Sequence, residues 1–566
     1  MERPSKRAKI SLDQSRGDKS PESSVSTPLA SLQRSISPPA RTRSGEPLPT
    51  ISACPELPGD QNNGFPANQS NVNLSRLISS PFELTHIQGL TDRGGLNEDT
   101  VKLRDILGNP MIKECWQFNY CFDVDFLMSK FDQDVRSLVK VKIVHGSWER
   151  ESMNKIHIDE ACTRYPNIEA ITAYMPERFG THHSKLMILI RHDDLAQVVI
   201  HTANMIPQDW TNMTQAVWRS PLLPLLSPGT LPSSPGNTPP GTGSRFKRDL
   251  LTYLRAYGPK KTGSLVQQLS RYDFGAVRAA LVASVPSKQH LSGLDSGKAT
   301  LWGWPALKDL MTHVPVRNIK KKNQTCHIVI QVSSIASLGQ TDKWIKEFFK
   351  SLAPTSTDPP PKYSIIWPTP EEVYHSLDGY ASGGSIHMKT QSAPQQKQVQ
   401  YLRPHLCQWA GDSKVIDLSQ DTPKREAGRG RAAPHIKTYI RFSNETMTSI
   451  DWAMVTSANL STQAWGAAPN ASGEVRISSF EVGVVVWPAL YGDSASQGSA
   501  QSESPDVLMV PCFKQDQPDP TNLAQKADTV VGLRMPYDLP LTPYRASDEP
   551  WSATAPLYIP DLGLGL

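Results

Sequence analysis

An internal repeat of three polar residues constrains the fold of this chain more than any other feature. Each copy has a histidine, a lysine two positions later, and an asparagine 19 or 22 positions after the lysine. The asparagines end the similar segments HTAN and TSAN, each after a run rich in β-branched residues. A single copy would carry little weight, but two copies in separate halves predict a duplicated fold with one shared site. The copies are His183, Lys185 and Asn204, and His435, Lys437 and Asn459.

These residue types suit the binding of a phosphate group. Side chains two positions apart on a strand point to the same side, so each imidazole projects together with an ammonium group. If the two strands meet, two imidazoles, two ammonium groups and two carboxamides surround one anion. One histidine can then attack phosphorus, while the other protonates the leaving oxygen and later activates water. The lysines and asparagines would stabilise the phosphate oxygens. We expect no metal and no cofactor, because the other histidines and the cysteines lack metal-ligand spacing.

Hydrophobic periodicity predicts an α/β fold with two similar α-β-α sandwich halves. Strand-like and helical segments alternate, and the same kind of pattern begins again beyond residue 315. We therefore predict a first domain over 79–315 and a second over 316–566, preceded by a disordered tail over 1–78. The predicted strands are 139–146, 169–175, 185–192, 197–205, 277–285, 327–334 and 363–368, and the predicted helices are 122–131, 245–257, 264–272 and 342–353.

Composition argues against a disulfide-bonded secreted protein and against a membrane protein. The chain has 566 residues, a net charge of +5 and 48 prolines, and the prolines are concentrated in segments without periodicity. The seven cysteines are odd in number and have no C-x-x-C spacing, which favours a reducing compartment. We expect a soluble intracellular protein, since neither a signal peptide nor a membrane-spanning run is present. The segments 221–244, 411–433 and 490–505 are predicted surface insertions.

The first 78 residues contain too few aromatic side chains to form a core, which predicts disorder. A short basic cluster near the start, KRAK at 6–9, fits a nuclear address, although a solvated basic tail explains the charge equally well. We expect a nuclear protein on this basis.

Four segments around the repeat resemble the signature regions of the tyrosyl-DNA phosphodiesterase family, the eukaryotic DNA-repair branch of the phospholipase D superfamily. The resemblance extends from about residue 80 to the end of the chain and implies a fungal-type nuclear enzyme with a phospholipase D-like fold and pseudo-twofold symmetry. The broader superfamily usually has Asp where this chain has Asn, as the tyrosyl-DNA branch does, which argues against a phospholipase. The segments are FGTHHSKLMIL (179–189), VVIHTANMIPQDW (198–210), PHIKTYIRF (434–442) and VTSANLSTQAWG (455–466).

The resemblance implies roles for the repeated residues. His183 would be the nucleophile, forming a phosphohistidine with the 3′ end of DNA as the tyrosine of a stalled topoisomerase leaves. His435 would be the general acid and then the base for water, and the lysines and asparagines would bind phosphate oxygens. Gln215 and Glu481 match supporting positions near the histidines, where they would fix each imidazole tautomer. Each could equally be an ordinary polar residue at a strand edge.

Residues that contact DNA are also implied. Phe179 matches a position where the family stacks an aromatic ring on a base, and the alternative is a core aromatic. Ser334 and Ser385 lie in turn-like segments that could donate hydrogen bonds to phosphates, or simply form turns. Trp551 would lie near the tyrosyl-peptide side of the cleft. The expected partners are 3′ ends of single- and double-stranded DNA carrying a topoisomerase I-derived tyrosyl peptide, with no membrane partner, and the expected state is a monomer.

Two alternatives stay open. The first is another phospholipase D-type nuclease or phosphodiesterase, although a membrane-acting phospholipase would need a lipid-binding element that the sequence does not show. The second is a non-catalytic scaffold that binds DNA ends. A scaffold would need the lysines alone, whereas both halves retain every polar member of the repeat.

Overall fold

Two large mixed β-sheets, each covered by helices, form most of the described part of the chain, together with three small two-stranded sheets. The computed structural model describes residues 75–565 apart from 91–93, 228, 230–237, 293–294, 298, 318–324, 356–358, 412–422, 493–505, 523–526, 556–557 and 560–563. The basic cluster at 6–9 lies outside the described residues, as do most of the predicted tail and large parts of the three predicted insertions.

The strands and helices follow the chain in a regular order. The strands are β1 (Arg76–Ile78), β2 (Glu83–Leu84), β3 (Ile112–Phe118), β4 (Lys140–His145), β5 (Ile168–Thr172), β6 (Leu186–Arg191), β7 (Leu195–His201), β8 (Ala216–Arg219), β9 (Leu223–Pro224), β10 (Ala280–Ser284), β11 (Ser287–His290), β12 (His327–Gln331), β13 (Ser334–Ile335), β14 (Lys362–Ile366), β15 (His387–Met388), β16 (Leu406–Cys407), β17 (Thr438–Phe442), β18 (Ile450–Thr456), β19 (Glu474–Ile477), β20 (Glu481–Val486), β21 (Val507–Cys512), β22 (Thr529–Arg534), β23 (Tyr558–Ile559) and β24 (Leu564–Gly565). The helices are α1 (Leu103–Leu107), α2 (Val124–Met128), α3 (Met153–Arg164), α4 (Pro207–Thr211), α5 (Gly243–Arg255), α6 (Pro259–Leu269), α7 (Gly303–His313), α8 (Lys343–Leu352), α9 (Pro370–Tyr374), α10 (Ala393–Leu402) and α11 (Thr462–Trp465).

Six strands repeat in the same order in both sheets. The first sheet contains the order β8-β7-β6-β3-β4-β5, and the second contains β20-β18-β17-β12-β14-β16. In each set the last three strands are parallel to one another, while the other neighbours are antiparallel. The strand that follows each His-x-Lys motif, β6 or β17, is central in its set. The predicted α/β fold with two similar halves is confirmed.

The sheets do not divide the chain at residue 315. Strand β10 pairs with β20 in the second sheet, although it precedes the predicted boundary. Strand β1 pairs with β22 in the same sheet and lies within the predicted tail over 1–78. The apolar residues of β10 give no signal of which sheet they complete, because any open sheet edge can accept a strand through its backbone groups.

Buried side chains form three main clusters. One packs α1, α2 and α3 against the outer face of the first sheet, and another packs α7, α8 and α10 against the second sheet. The third lies between the sheets and includes residues of α5 and α6. Strands such as β6 and β20 are buried along nearly their whole length, which explains their continuous apolar sequences, LMILIR and EVGVVV. No helix among the described residues is long and apolar enough to cross a bilayer.

Candidate active site

The two His-x-Lys motifs meet at the junction of the sheets, and each histidine is held by the backbone of the other half. The backbone N–H of His183 donates to the carbonyl oxygen of Phe480 at 3.0 Å. The backbone N–H of His435 donates to the carbonyl oxygen of Thr214 at 3.2 Å. Phe480 immediately precedes β20, and Thr214 lies two residues before β8. The reciprocal bonds place His183 beside β20 and His435 beside β8. These two strands take equivalent positions in the two sheets.

His183 lies between a carboxylate and an ammonium group. Its Nδ1 is 3.1 Å from Oε2 of Glu481, and its Nε2 is 3.1 Å from Nζ of Lys185. Burial lowers the pKa of His183, and the charge of Lys185 lowers it further, while Glu481 opposes both. A proton on Nδ1 is therefore held by Glu481, and the lone pair of Nε2 faces the ammonium group and the space where a phosphate would bind.

His435 has an amide partner and a carboxylate partner. Its Nδ1 is 3.0 Å from Nε2 and 3.2 Å from Oε1 of Gln215, and 3.2 Å from Oδ2 of Asp209. Nζ of Lys437 is 3.3 Å from both ring nitrogens. Burial lowers the pKa of His435 well below its ordinary value, and Lys437 and Lys185 lower it further. A negative charge close to the ring is therefore needed for the imidazolium to form.

Both motif lysines are fully buried. Burial lowers the pKa of Lys185 to about 8, and Glu481 and Asp209 oppose that shift. Burial also lowers the pKa of Lys437 well below its ordinary value, and the charge of Lys185 adds to the shift. Two ammonium groups that repel each other in a site with little water provide a strong attraction for an anion.

The two motif asparagines are held in different ways. The backbone N–H of Asn204 donates to Oδ2 of Asp209 at 2.6 Å, and the buried Oδ1 of Asn204 has no hydrogen-bond partner among the described residues. Oδ1 of Asn459 accepts the backbone N–H groups of Ser333 and Ser334, at 3.1 and 2.9 Å. Because the oxygen of Asn459 is engaged, its NH₂ group is the end that is free to donate to a phosphate oxygen.

A hydroxyl two residues before each asparagine holds the partner of the opposite histidine. Oγ1 of Thr202 donates to Oε1 of Gln215 at 2.7 Å, and Oγ of Ser457 donates to Oε2 of Glu481 at 2.5 Å. Each hydroxyl also accepts, at 3.0 Å, the backbone N–H of the residue after its glutamine or glutamate. The same local bonds are therefore repeated in both halves.

Comparisons with known proteins show the family of the chain. A family model described as tyrosyl-DNA phosphodiesterase matches residues 81–545. The chain belongs to this family. A probable tyrosyl-DNA phosphodiesterase of Schizosaccharomyces pombe is 30% identical over 541 residues, covering 84% of this chain and 94% of that protein. Tyrosyl-DNA phosphodiesterase 1 of Arabidopsis thaliana is 28% identical, covering 84% of this chain and 74% of that protein.

A solved structure has the same fold. The crystal structure of the yeast tyrosyl-DNA phosphodiesterase matches with a TM-score of 0.55 and 20% identity, covering 84% of this chain and 99% of that chain. The duplicated sheets are thus the fold of the tyrosyl-DNA phosphodiesterase family, and the chain has the phospholipase D-like arrangement that the sequence predicted.

The predicted DNA-contact residues of this family member lie in different settings. Phe179 is 76% exposed, and the guanidinium of Arg178 lies 5.7 Å from its ring centroid, so Phe179 is not a core aromatic. Ser334 is half-buried beside Asn459, and strand register pairs Ser334 with His387. Ser385 comes two residues before His387 on the same segment. The structure therefore brings both serines to one rim near His435, whose pKa the charge of His387 also lowers.

Trp551, expected near the tyrosyl-peptide side of the cleft, lies buried beneath the turn that carries Ser385. Its side chain is 3% exposed, and its Nε1 donates to the carbonyl oxygen of Ile386 at 3.1 Å. A Cβ on Gly383 would lie 2.0 Å from the indole ring, so glycine is needed for the turn to pass over Trp551. Trp551 supports the turn that carries Ser385. The large apolar surface of the indole ring favours a position that is covered by the turn.

Sequence reasoning missed Asp209. Its side chain is fully buried, Oδ1 has no hydrogen-bond partner among the described residues, and burial raises its pKa to about 6. The signal was present in the quoted segment HTANMIPQDW, where an acidic residue lies five positions after Asn204. The equivalent position after Asn459 is Ala464, so comparing the two halves shows a carboxylate that only one half has. The described residues contain no group of three or more His, Cys, Asp or Glu side chains placed to bind a metal.

Proposed function

We propose that this chain hydrolyses the bond between a tyrosine and the 3′ phosphate of DNA through a covalent phosphohistidine. The observation that carries the proposal is the pair of imidazoles, each held at Nδ1 by a residue of the opposite half and each beside a buried lysine. Two nitrogen bases with separate partners can take opposite roles at one phosphorus atom, which a two-step displacement requires.

In the first step, Nε2 of His183 attacks phosphorus and forms the N–P bond, while the bond to the tyrosine oxygen breaks. Glu481 holds the proton on Nδ1 and stabilises the charge that develops on the imidazole. The leaving phenolate takes the proton from Nε2 of His435. The tyrosyl peptide then departs, and the DNA stays bound to His183 through its 3′ phosphate.

In the second step, His435 acts as a base. Its Nε2 accepts a proton from water, the water oxygen attacks phosphorus, and the N–P bond breaks. The electron pair of that bond returns to Nε2 of His183, and the product is DNA with a 3′ phosphate. Lys185, Lys437, Asn204 and the NH₂ group of Asn459 stabilise the equatorial oxygens in both steps.

Asp209 supplies the charge that the acid role of His435 needs. Burial and the two lysines disfavour an imidazolium, and the carboxylate 3.2 Å from Nδ1 opposes them together with the bound phosphodiester. The Nδ1–H group of His435 donates to the Asp209 carboxylate throughout the reaction. The Nε2 atom of His435 therefore gives its proton in the first step and accepts one in the second.

We also propose the nature of the substrate, the oligomeric state and the cellular compartment. The substrate is a peptide from topoisomerase I on single- or double-stranded DNA 3′ ends, since phosphate contacts do not depend on base sequence. The protein acts as a monomer in the nucleus. The signature segments and the basic cluster at 6–9 support these assignments.

A cleavage assay in excess chelator tests the proposal. We expect a 3′-phosphotyrosyl oligonucleotide to be converted to a 3′-phosphate oligonucleotide, while a phospholipid in the same buffer is left intact. His183→Ala is the matched control for contaminating nucleases. Loss of activity on chelation would contradict the two-histidine mechanism, and phospholipid hydrolysis would favour the broader phospholipase D activity. DNA binding without cleavage would favour the scaffold.

A further inference from the structure

Exposed aromatic side chains cluster at one end of the first sheet. Eight large hydrophobic side chains of the described residues are exposed, and five of them lie in the segments that follow β3, β4 and β5. Two of the others, Met111 and Leu138, lie at the opposite end, just before β3 and β4. The five are Tyr120 (48% exposed), Trp148 (63%), Met153 (61%), Tyr174 (72%) and Phe179 (76%).

The strand register places three of these rings in a row. Strands β3, β4 and β5 are parallel neighbours, so their carboxyl ends lie at one edge of the sheet. Tyr120 comes two residues after β3, Trp148 three residues after β4, and Tyr174 two residues after β5. Adjacent strands are about 4.8 Å apart, so the three attachment points span about 10 Å. We call Tyr120, Trp148 and Tyr174 the aromatic row.

Hydrogen bonds connect the loops that carry the row. The side chain of Asn154 donates to the carbonyl oxygen of Tyr120 at 3.3 Å and to Oγ of Ser147 at 2.9 Å. Nδ1 of His145 accepts the backbone N–H of Ser147 at 3.2 Å, and the other ring nitrogen is 3.4 Å from Oγ1 of Thr172. The loops after β3, β4 and β5 are thereby tied to one another through two polar side chains.

The row begins at the proposed nucleophile. The ring centroid of Tyr120 lies 5.6 Å from that of His183. The loop after β4 passes against the neighbouring residue, because a Cβ on Gly146 would lie 2.5 Å from the Cβ of His182. The row therefore leads outward from His183 on the first-half side of the site.

Chemistry decides which part of the substrate lies on that side. The leaving tyrosine oxygen lies opposite the attacking Nε2 of His183 and departs toward His435, a second-half residue. The tyrosyl peptide is therefore directed away from the first-half side, and the DNA is the part of the substrate that is left to lie there. This assignment rests on the proposed function. The side chains of the β4 loop at 149–151 are Glu, Arg and Glu, which offer a phosphate backbone no net attraction. Exposed rings suit unpaired bases, which stack on aromatic faces irrespective of sequence.

We propose that the aromatic row is a stacking surface for the unpaired bases next to the 3′ phosphate of single-stranded DNA. A base pair hides both faces of its bases, so a blunt duplex gains little from the row. The row therefore favours frayed or single-stranded 3′ ends over blunt ends.

The double variant Trp148→Ala/Tyr174→Ala tests this proposal, with Leu138→Ala as the matched control because Leu138 is 73% exposed at the opposite end of β4. Tyr120 is left unchanged because it contacts His183. Fluorescence anisotropy measures the affinity for a single strand of about ten nucleotides with a 3′ phosphate, and for a blunt duplex with the same end. Turnover of a mononucleotide 3′-(p-nitrophenyl) phosphate measures the chemistry separately.

We expect the double variant to bind the single strand about tenfold or more weakly, with less than a twofold change for the duplex. Trp148→Phe should retain most of the affinity, and Leu138→Ala should match the wild type. Unchanged single-strand affinity, or an equal loss for the duplex, would overturn the proposal. Failure of the wild type to cleave the mononucleotide would count against the proposed function alone, because the binding measurement does not depend on turnover.

Discussion

The two halves of this molecule share a scaffold but surround their histidines with different charges. Six strands repeat in the same order, each histidine bonds to the backbone of the other half, and each asparagine follows a hydroxyl that holds a glutamine or glutamate. His183 receives the carboxylate Glu481, whereas His435 receives the amide Gln215. A duplicated backbone therefore fixes where the imidazoles lie, and the partner residues decide what each imidazole does.

The second difference is Asp209, which has no counterpart in the second half because Ala464 takes the equivalent position. Asp209 lies beside His435, the histidine whose main partner is neutral. The carboxylate of Asp209 reaches His435 from helix α4. The position just before β8 is occupied by the neutral amide of Gln215. Equivalent histidines can take unlike roles because their supporting charges come from different elements.

The largest expected effect separates the two histidines. His183→Ala should lower kcat by about 10⁴-fold or more, because the nucleophile that forms the N–P bond is lost. His435→Ala should mainly slow the hydrolysis of the intermediate, since its base is lost. Acid quenching followed by denaturing electrophoresis would then show a protein–DNA adduct for His435→Ala alone. Tyrosine release by His435→Ala without any adduct would contradict the assigned roles.

Exchanging the partner residues is the next test. Glu481→Gln should lower kcat by about 10²-fold or more, because the imidazole of His183 loses the carboxylate that stabilises its positive charge. Gln215→Glu should slow the second step, because an added carboxylate keeps His435 protonated when it must accept a proton. Single-turnover kinetics distinguish the two losses. Equal losses in the first step for both variants would show that the difference between the halves does not set their roles.

Asp209→Asn should have a smaller effect that depends on the leaving group. We expect about a tenfold loss of kcat/KM for a phosphotyrosyl substrate and little change for a p-nitrophenyl ester, whose leaving group needs no proton. In the wild type, kcat/KM should fall as the pH drops through about 6, where the raised pKa of Asp209 leads to protonation of its carboxylate. The variant should lose that acidic limb.

Asp193→Asn is the control for Asp209, since the Asp193 carboxylate pairs with Arg191 at the surface of the same half. The decrease of kcat/KM at high pH should remain in both variants. Burial lowers the pKa of Lys185 to about 8, so the charge of Lys185 is lost above that pH. A uniform loss for both substrates at every pH would indicate that Asp209 has only a structural role.

The smallest expected effect is on the free energy of unfolding, when the buried hydroxyl of Ser457 or of Thr202 is removed. Ser457→Ala should lower the free energy of unfolding by about 2 kcal/mol, because a buried carboxylate loses a hydrogen bond, and Thr202→Val by about 1 kcal/mol, because its partner is a neutral amide. Ser129→Ala, at an exposed hydroxyl, should change it by less than about 0.5 kcal/mol. Urea unfolding measures all three, and equal losses at Ser457 and Thr202 would remove the charge difference between the halves as the cause.

Much of the fold was predictable from apolar runs. The predicted segments 185–192 and 327–334 contain β6 and β12, because continuous β-branched and aliphatic runs are stable where both faces of a strand are covered. The boundary at 315 did not match the sheets, since β10 crosses to the second sheet through backbone pairing, which side-chain patterns do not encode. The exposure of Phe179 and the burial of Trp551 were likewise decided by neighbours distant in sequence.

The amino-acid sequence by itself determined that two imidazole and ammonium pairs would be displayed on equivalent strands, because the period of a strand is a local property of the chain. It also placed a hydroxyl and an asparagine at matching positions in each half. Only the tertiary structure decided that Glu481 supports His183, that Gln215 supports His435, and that Asp209 reaches the second imidazole. These contacts join residues far apart along the chain, and they form only when the two sheets pack through the reciprocal backbone bonds at Phe480 and Thr214.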